Sequence, residues 1–290
     1  MTRKRDRRGA APLTQKREAP RDQAAAGSRP APQAGKAHSR PAPREKPRER
    51  READVSRIYG FHSVEAALKA PRRELIRLYA TAAAAERLQP EIAARGVEVR
   101  IMEVDEIAAR APRDSVHQGV LLEARPLAPI DLSELPGAGI VIVLDQITDP
   151  HNVGAILRTA AAFAVDALVT TERHSPEFSG ALAKSASGGL EHVPIATVVN
   201  LARALDEMGD MGYLRVGLDS EGPVSLARAA LRRPLALALG AEGKGLRRLT
   251  RERCDVLARL DLPGAIKSLN VSNAAAIALA LTYGKLAAEG

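Results

Sequence analysis

Residues 140–164 read Ile140-Val-Ile-Val-Leu144-Asp-Gln-Ile-Thr-Asp149-Pro-His-Asn152-Val-Gly-Ala-Ile-Leu-Arg158-Thr-Ala-Ala-Ala-Phe-Ala164. The unbroken apolar run from Ile140 to Leu144 suits a strand buried on both faces of a parallel sheet. Asp149-Pro150 punctuates a turn, Asn152 is placed as a helix N-cap, and Val153 to Ala164 predicts a helix rich in Ala, Ile and Leu. Asn152 and Arg158 then follow the carboxyl end of a strand, where open α/β sheets keep their chemistry. Alone, the stretch reads equally well as a capped core helix with one solvated arginine.

Two later segments repeat the arrangement. Leu235-Ala-Leu-Ala-Leu-Gly240-Ala-Glu242-Gly-Lys-Gly245-Leu is a buried-strand run breaking into a glycine-rich loop. Leu260-Asp-Leu-Pro-Gly-Ala-Ile-Lys-Ser268-Leu-Asn270-Val-Ser-Asn273 is an apolar segment, a loop and a helix start. In order and spacing, N-x-G-x-x-x-R, L-G-x-E-G-x-G and S-L-N-V-S resemble the three signature motifs of the SpoU family of RNA ribose 2′-O-methyltransferases, over residues 140 to 288.

The rest of the chain alternates strand and helix signals. His62 to Lys69 and Ala82 to Arg95 have helical composition, while Glu74 to Tyr79, Val97 to Ile101 and Gly119 to Glu123 read as strands. Pro126 to Gly139 is a Pro- and Gly-rich linker. Beyond it, Ile140 to Leu144, Ala167 to Thr171, Val193 to Val198, Tyr213 to Leu218, Leu235 to Leu239 and Val256 to Leu260 are candidate strands with helices between most of them. The fold class is α/β, with a parallel sheet covered on both faces. The expected organisation is a tail at 1–54, a small α/β unit at 55–125, a linker at 126–139 and a second α/β unit at 140–290.

Charge is uneven along the chain. Residues 1–54 carry 16 Lys+Arg against 7 Asp+Glu, whereas the whole chain has a formal net charge of +8, so the remainder is close to neutral. Seven prolines and almost no large apolar side chains predict a disordered tail. Interspersed acids and few serines argue against a transit peptide, leaving a basic RNA-tethering arm or a solubilising tail. No apolar run reads as a membrane span or a secretory h-region. The single cysteine, Cys254, excludes an intramolecular disulfide and a multi-cysteine metal site, and its helix-like setting suggests packing. The histidines lack metal-ligand spacing, so no metal is expected.

Neither common nucleotide-binding fingerprint fits. Gly137-Ala-Gly139 precedes the strand that a dinucleotide site would need before its glycines, and Gly243-Lys244-Gly245 lacks the hydroxyl and spacing of a P-loop.

The resemblance implies what the spacing alone does not. It implies a trefoil-knotted carboxyl-terminal domain, although knots are nearly absent among folds. It also implies S-adenosylmethionine as cofactor, contacted at Gly240, Leu260 and Leu269 with neighbouring loop atoms from Ala241 to Gly243 and from Leu262 to Ile266. Arg158 is implied as the residue that accepts or relays the ribose proton, with Asn152, Glu242, Ser268 and Asn270 holding substrate and loops. A literal arginine base is unattractive, because guanidinium is always protonated, and anchoring of the target phosphate is the alternative. Ser268 and Asn270 also read as capping or turn residues. Lys184-Ser-Ala-Ser-Gly-Gly189 is either an RNA or loop contact or simply a helix end at Gly188-Gly189.

Tyr59-Gly60-Phe-His62 and His117-Gln-Gly-Val120 make the first unit look like the substrate-binding domain of a SpoU subgroup, similar in fold to ribosomal proteins that grip kinked RNA. The implied activity is ribose methylation of a guanosine in 23S ribosomal RNA or a pre-ribosomal particle, by a cytoplasmic homodimer with no membrane partner. A tRNA-directed member of the family and a non-catalytic assembly factor are the alternatives. Aromatic residues make up only 2% of the chain, so recognition is expected to rest on shape, phosphates and the 2′-hydroxyl rather than on stacking.

The charge asymmetry generates a test. Deleting residues 1–54 should weaken RNA binding at low salt and flatten the slope of log affinity against log salt by roughly 0.7 to 0.9 for each phosphate that the tail neutralises. The methylated position should stay the same. An unchanged slope would show that the tail does not touch RNA.

Overall fold

The computed structural model describes residues 55–113, 115–178 and 180–288. The tail expected at 1–54 lies outside the described residues. The first unit comprises β1 (Ser56–Tyr59), α1 (Phe61–Lys69), β2 (Leu75–Ala80), α2 (Ala82–Arg87), α3 (Gln89–Arg95), β3 (Val99–Ile101), α4 (Val104–Arg110) and β4 (Val120–Ala124). Its strands form a mixed sheet in the order β1-β4-β2-β3. The helix expected over Ala82 to Arg95 is broken, because Pro90 opens α3 and Leu88 ends α2.

A 3-10 turn at Leu132–Glu134 interrupts the linker, and a parallel bridge from Ile130 to Ala196 pins the linker to the second sheet. That unit comprises β5 (Ile140–Asp145), α5 (Pro150–Ala162), β6 (Ala167–Thr171), α6 (Gly180–Ala186), α7 (Gly189–His192), β7 (Ile195–Val198), α8 (Leu201–Asp210), β8 (Leu214–Leu218), β9 (Val224–Ser225), β10 (Leu235–Gly240), α9 (Arg248–Glu252), β11 (Val256–Arg259) and α10 (Val271–Ala288). The sheet order is β7-β6-β5-β10-β8-β11-β9, with every pairing parallel.

Every residue of β5 is buried, because its two faces serve two cores. Ile140, Ile142 and Leu144 pack in one cluster with Ile156 and Leu157 of α5 and Leu279 of α10. Val141 and Val143 pack in another with Leu201, Leu205 and Met208 of α8. Period-two alternation thus puts apolar side chains on both sides of the strand, as helices on both faces require.

Helix α10 is long and apolar enough to cross a membrane by length and composition. Here its Val271, Ala275, Ala278, Leu279 and Thr282 are buried, and its Tyr283 ring lies 5.4 Å from that of Phe163. Cys254 packs with the α8-side cluster and donates its thiol to the Thr250 carbonyl, and burial pushes the thiol pKa up to about 12.

The first unit is fastened to the second through α6 and α7. Ser63 Oγ of α1 donates to the Ala183 carbonyl at 3.1 Å. Arg73 makes a two-pronged contact with Glu191 of α7, Nε lying 3.0 Å from Oε2, and its remaining nitrogen Nη1 donates to the Arg125 carbonyl. The two side chains are 2% and 3% exposed. Removing one member strands a buried charge. Arg73→Met and Glu191→Met should therefore each destabilise the protein by about 3–5 kcal/mol, with the double variant recovering much of the loss. Urea unfolding midpoints of the three variants check this, and additive losses would contradict it.

Candidate functional site

The sheet changes direction at β5. The chain runs outward through β6 and β7, then returns to build β8, β9, β10 and β11 on the other side, with β10 directly beside β5. Such a switch leaves a crevice at the carboxyl ends of the adjoining strands. The register pairs Gly240 with Asp145, so both strands end at the same level. The segments after β5, β10 and β11 carry the residues singled out from sequence.

Asp149, not Asn152, caps α5: its carboxylate accepts from the His151 amide at 3.0 Å, and Pro150 opens the helix. This corrects the assignment made from sequence. Proline at the first helical position needs no amide partner, which moves the cap back one turn. The shift leaves the Asn152 side chain available. Its Oδ1 accepts from Asn270 Nδ2 at 2.9 Å, joining the start of α5 to the start of α10 across 118 residues of sequence. Asn270 Oδ1 accepts in turn from the Ser272 amide at 2.9 Å and hydroxyl at 2.6 Å. Asn270 is therefore both a turn residue for α10 and a partner of Asn152.

The remaining polar candidates are not bonded to that pair. Arg158 is exposed on α5, and Glu242 and Ser268 are exposed in their loops. Among the described residues, none of the three side chains has a hydrogen-bond or ion-pair partner.

The loop after β10 is tight. Gly245 donates its amide to the Ala241 carbonyl at 2.8 Å, and a Cβ on Gly240 would fall 2.1 Å from the Gly245 carbonyl carbon. Glycine is required there by contact. Gly243 stands in open space at φ 78°.

The segment after β11 is different. Among the described residues, no backbone–backbone hydrogen bond closes 262–269, while Lys267 Nζ donates to the Leu262 carbonyl at 2.7 Å. Leu260, Leu262 and Leu269 are half-buried, and Ile266 is 76% exposed. Half-buried apolar side chains beside peptide groups without backbone partners are the chemistry that a flat heterocycle with polar edges requires. These residues fit an adenosyl group.

One feature lies outside the residues singled out from sequence. Asp145, fully buried at the end of β5, accepts from the Arg247 amide at 2.9 Å and lies 2.6 Å from Arg247 Nε. This ion pair ties the far end of the β10 loop to β5. The available signal was an acid ending an otherwise apolar strand. Ser185 belongs to the Lys184–Gly189 segment already marked from sequence as an RNA or loop contact or a helix end; its hydroxyl donates to the His151 carbonyl at 3.0 Å, beside Asn152. Gly188, at φ 93°, separates α6 from α7, so that segment is also a helix end.

Comparison with known proteins agrees with this architecture. The model of the SpoU rRNA methylase family matches residues 139–280, and that of the RNA 2′-O ribose methyltransferase substrate-binding domain matches residues 57–130. A 23S rRNA (guanosine-2′-O-)-methyltransferase of Ralstonia nicotianae is 39% identical over 77% of this chain and 92% of its own. Its namesake from Pseudomonas aeruginosa is 37% identical over 77% and 94%. The AdoMet-bound rRNA methyltransferase from Sinorhizobium meliloti shares the fold, with a TM-score of 0.70 at 24% identity over 81% of this chain and 89% of that one. On relatives of this identity and span, the chain belongs to the SpoU rRNA methylase family.

Proposed function

We propose that the chain transfers a methyl group from S-adenosylmethionine to the ribose 2′-hydroxyl of a guanosine in 23S ribosomal RNA. The observation that carries this reading is the Asn152–Asn270 hydrogen bond. It ties the start of α5, which follows β5, to the start of α10, which follows β11. The guanosine and the 23S substrate are supported by the names of the relatives, of which this chain spans more than nine-tenths.

When bound, S-adenosylmethionine supplies an electrophilic methyl on a sulfonium. Leu260, Leu262, Ile266 and Leu269 form the apolar wall for its adenine, while Gly240, Ala241 and Gly243 let the backbone pass close to it. In the reaction the O2′–methyl bond forms, the methyl–sulfur bond breaks with its electron pair left on sulfur, and the hydroxyl proton departs.

A ribose hydroxyl is a weak nucleophile, so placement and proton removal both matter. Arg158 presents an unpaired planar guanidinium on the helix that begins at the site. As a permanently charged fork it anchors the phosphate beside the target, and that phosphate receives the proton. Asn152 and Asn270 hold the two helix starts in register, with Glu242 and Ser268 facing substrate from their loops. The reading includes the trefoil passage of the chain around 261–270 and action in the cytoplasm. It also includes a homodimer, supported by Ile277 and Leu281 of α10, which stand 41% and 38% exposed.

Labelled S-adenosylmethionine with unmethylated 23S rRNA tests the assignment. Wild type should transfer label, whereas Arg158→Ala and Arg158→Lys should fall by on the order of a hundredfold or more while keeping the wild-type melting temperature. Asn152→Ala and Asn270→Ala should lose activity more than stability, and Cys254→Ala should lose little activity. Transfer to tRNA alone would move the substrate within the family. RNA binding without transfer would make the chain an assembly factor.

A further inference from the structure

The aromatic residues are few, and Tyr59, Tyr79 and Tyr213 are buried. Phe61, at the start of α1, is placed differently. Its ring packs on the core on one side, and the Arg87 guanidinium carbon lies 4.0 Å above the ring centroid. Arg87 is exposed, and among the described residues it makes no hydrogen bond or ion pair. Glu91, close in sequence, is taken by Lys69. The phenyl ring thus holds a flat cation whose donors are all unspent.

Gln118, in the turn leading into β4, meets the backbone of Phe61. Its side-chain oxygen accepts from the Phe61 amide at 2.9 Å, and its backbone sits at φ 54°. A non-glycine residue in the left-handed region costs energy that the surroundings must supply. Here the strain places an exposed carboxamide against the first turn of α1, with its NH2 group unpaired among the described residues. Lys184 of α6 closes the group: its Cγ lies 3.8 Å from where a Cβ on Gly60 would be, and its ammonium is 5.6 Å from the Tyr59 ring centroid. The next residue, Ser185, bonds to His151 beside Asn152. One short helix therefore touches both this cluster and the candidate active site.

We propose that Arg87, stacked on Phe61, is a platform for an unpaired base of the same RNA loop that holds the target nucleotide, with Gln118 donating to the base edge and Lys184 to the adjoining phosphate. The inference rests on the methyltransferase reading for the identity of the strand, and it deepens it by naming a specificity determinant in the first unit. Guanidinium planes and aromatic rings are the two surfaces on which proteins stack splayed-out RNA bases. Supported from below by Phe61, Arg87 supplies the plane that so aromatic-poor a chain otherwise lacks. The ordinary structural role, a cation covering an aromatic face at the end of α2, requires neither the strained Gln118 nor the opposed Lys184.

An RNA hairpin carrying 2-aminopurine at each loop position in turn tests the platform, because a base drawn out of the RNA stack loses the quenching its neighbouring bases impose. Wild type should brighten at one position or a short run of positions. Arg87→Ala should abolish the brightening and weaken binding by about tenfold or more, the size expected when one base stack is removed. Arg87→Lys keeps the charge but not the plane, so it should retain the salt dependence of binding and lose the brightening. Phe61→Leu, which preserves an apolar core residue, should lose the brightening at unchanged melting temperature.

Wild type failing to brighten any position, or Arg87→Lys brightening as wild type does, would overturn the platform. Methyl transfer to 23S rRNA is measured alongside. Brightening without transfer would remove the methyltransferase reading and keep the platform, and transfer without brightening would do the reverse.

Discussion

Close packing of α5 against α6 and α7 is the constraint on which the rest depends. A Cβ on Gly154 would lie 2.5 Å from Ser185 Cβ and 2.8 Å from the Leu182 carbonyl oxygen, and one on Gly189 would lie 2.6 Å from the Leu157 carbonyl oxygen. These contacts involve helix backbone, which cannot swing aside as a side chain does. Glycine at both positions is therefore what allows the helices to meet. Their meeting sets Ser185 on His151, and it places α6 and α7 where Ser63 and Arg73 of the first unit can reach them.

That geometry gives the first unit a defined relation to the chemistry. The buried Arg73–Glu191 pair resists sliding, since shifting either partner exposes a charge to apolar surroundings. On the proposed reading, a substrate-binding module held this way would measure RNA, with a base on the first unit and a ribose at the Asn152–Asn270 pair set a fixed span apart. Specificity of this kind comes from distance and shape, which suits a chain with so few aromatic side chains.

Much of this was legible in the sequence where the local signal and the tertiary outcome coincide. The run Ile140 to Leu144 reads as a strand buried on both faces because both faces are covered, and the strand-end positions of Asn152, Gly240 and Asn270 follow from the apolar runs before them. Short elements were missed. Strand β1 at Ser56–Tyr59 exists by antiparallel pairing with β4, and β9 is only the pair Val224–Ser225, beside β11. Neither has a periodicity of its own. Asn152 was misread as a cap because capping propensity ranks Asn and Asp alike, and only the three-dimensional pairing with Asn270 shows which one is spent on the helix. The Arg87–Phe61 stack and the strained Gln118 are contacts between distant segments, invisible to any window along the chain.

The most direct measurement is a map of ribose methylation across ribosomal and transfer RNA, compared between a strain carrying this gene and one from which it is deleted. In the deletion strain one guanosine of 23S rRNA should lose its 2′-O-methyl group with all other sites unchanged, and the wild-type gene should restore the mark while an Arg158→Ala copy does not. A 23S rRNA map identical in the two strains would contradict the proposed function.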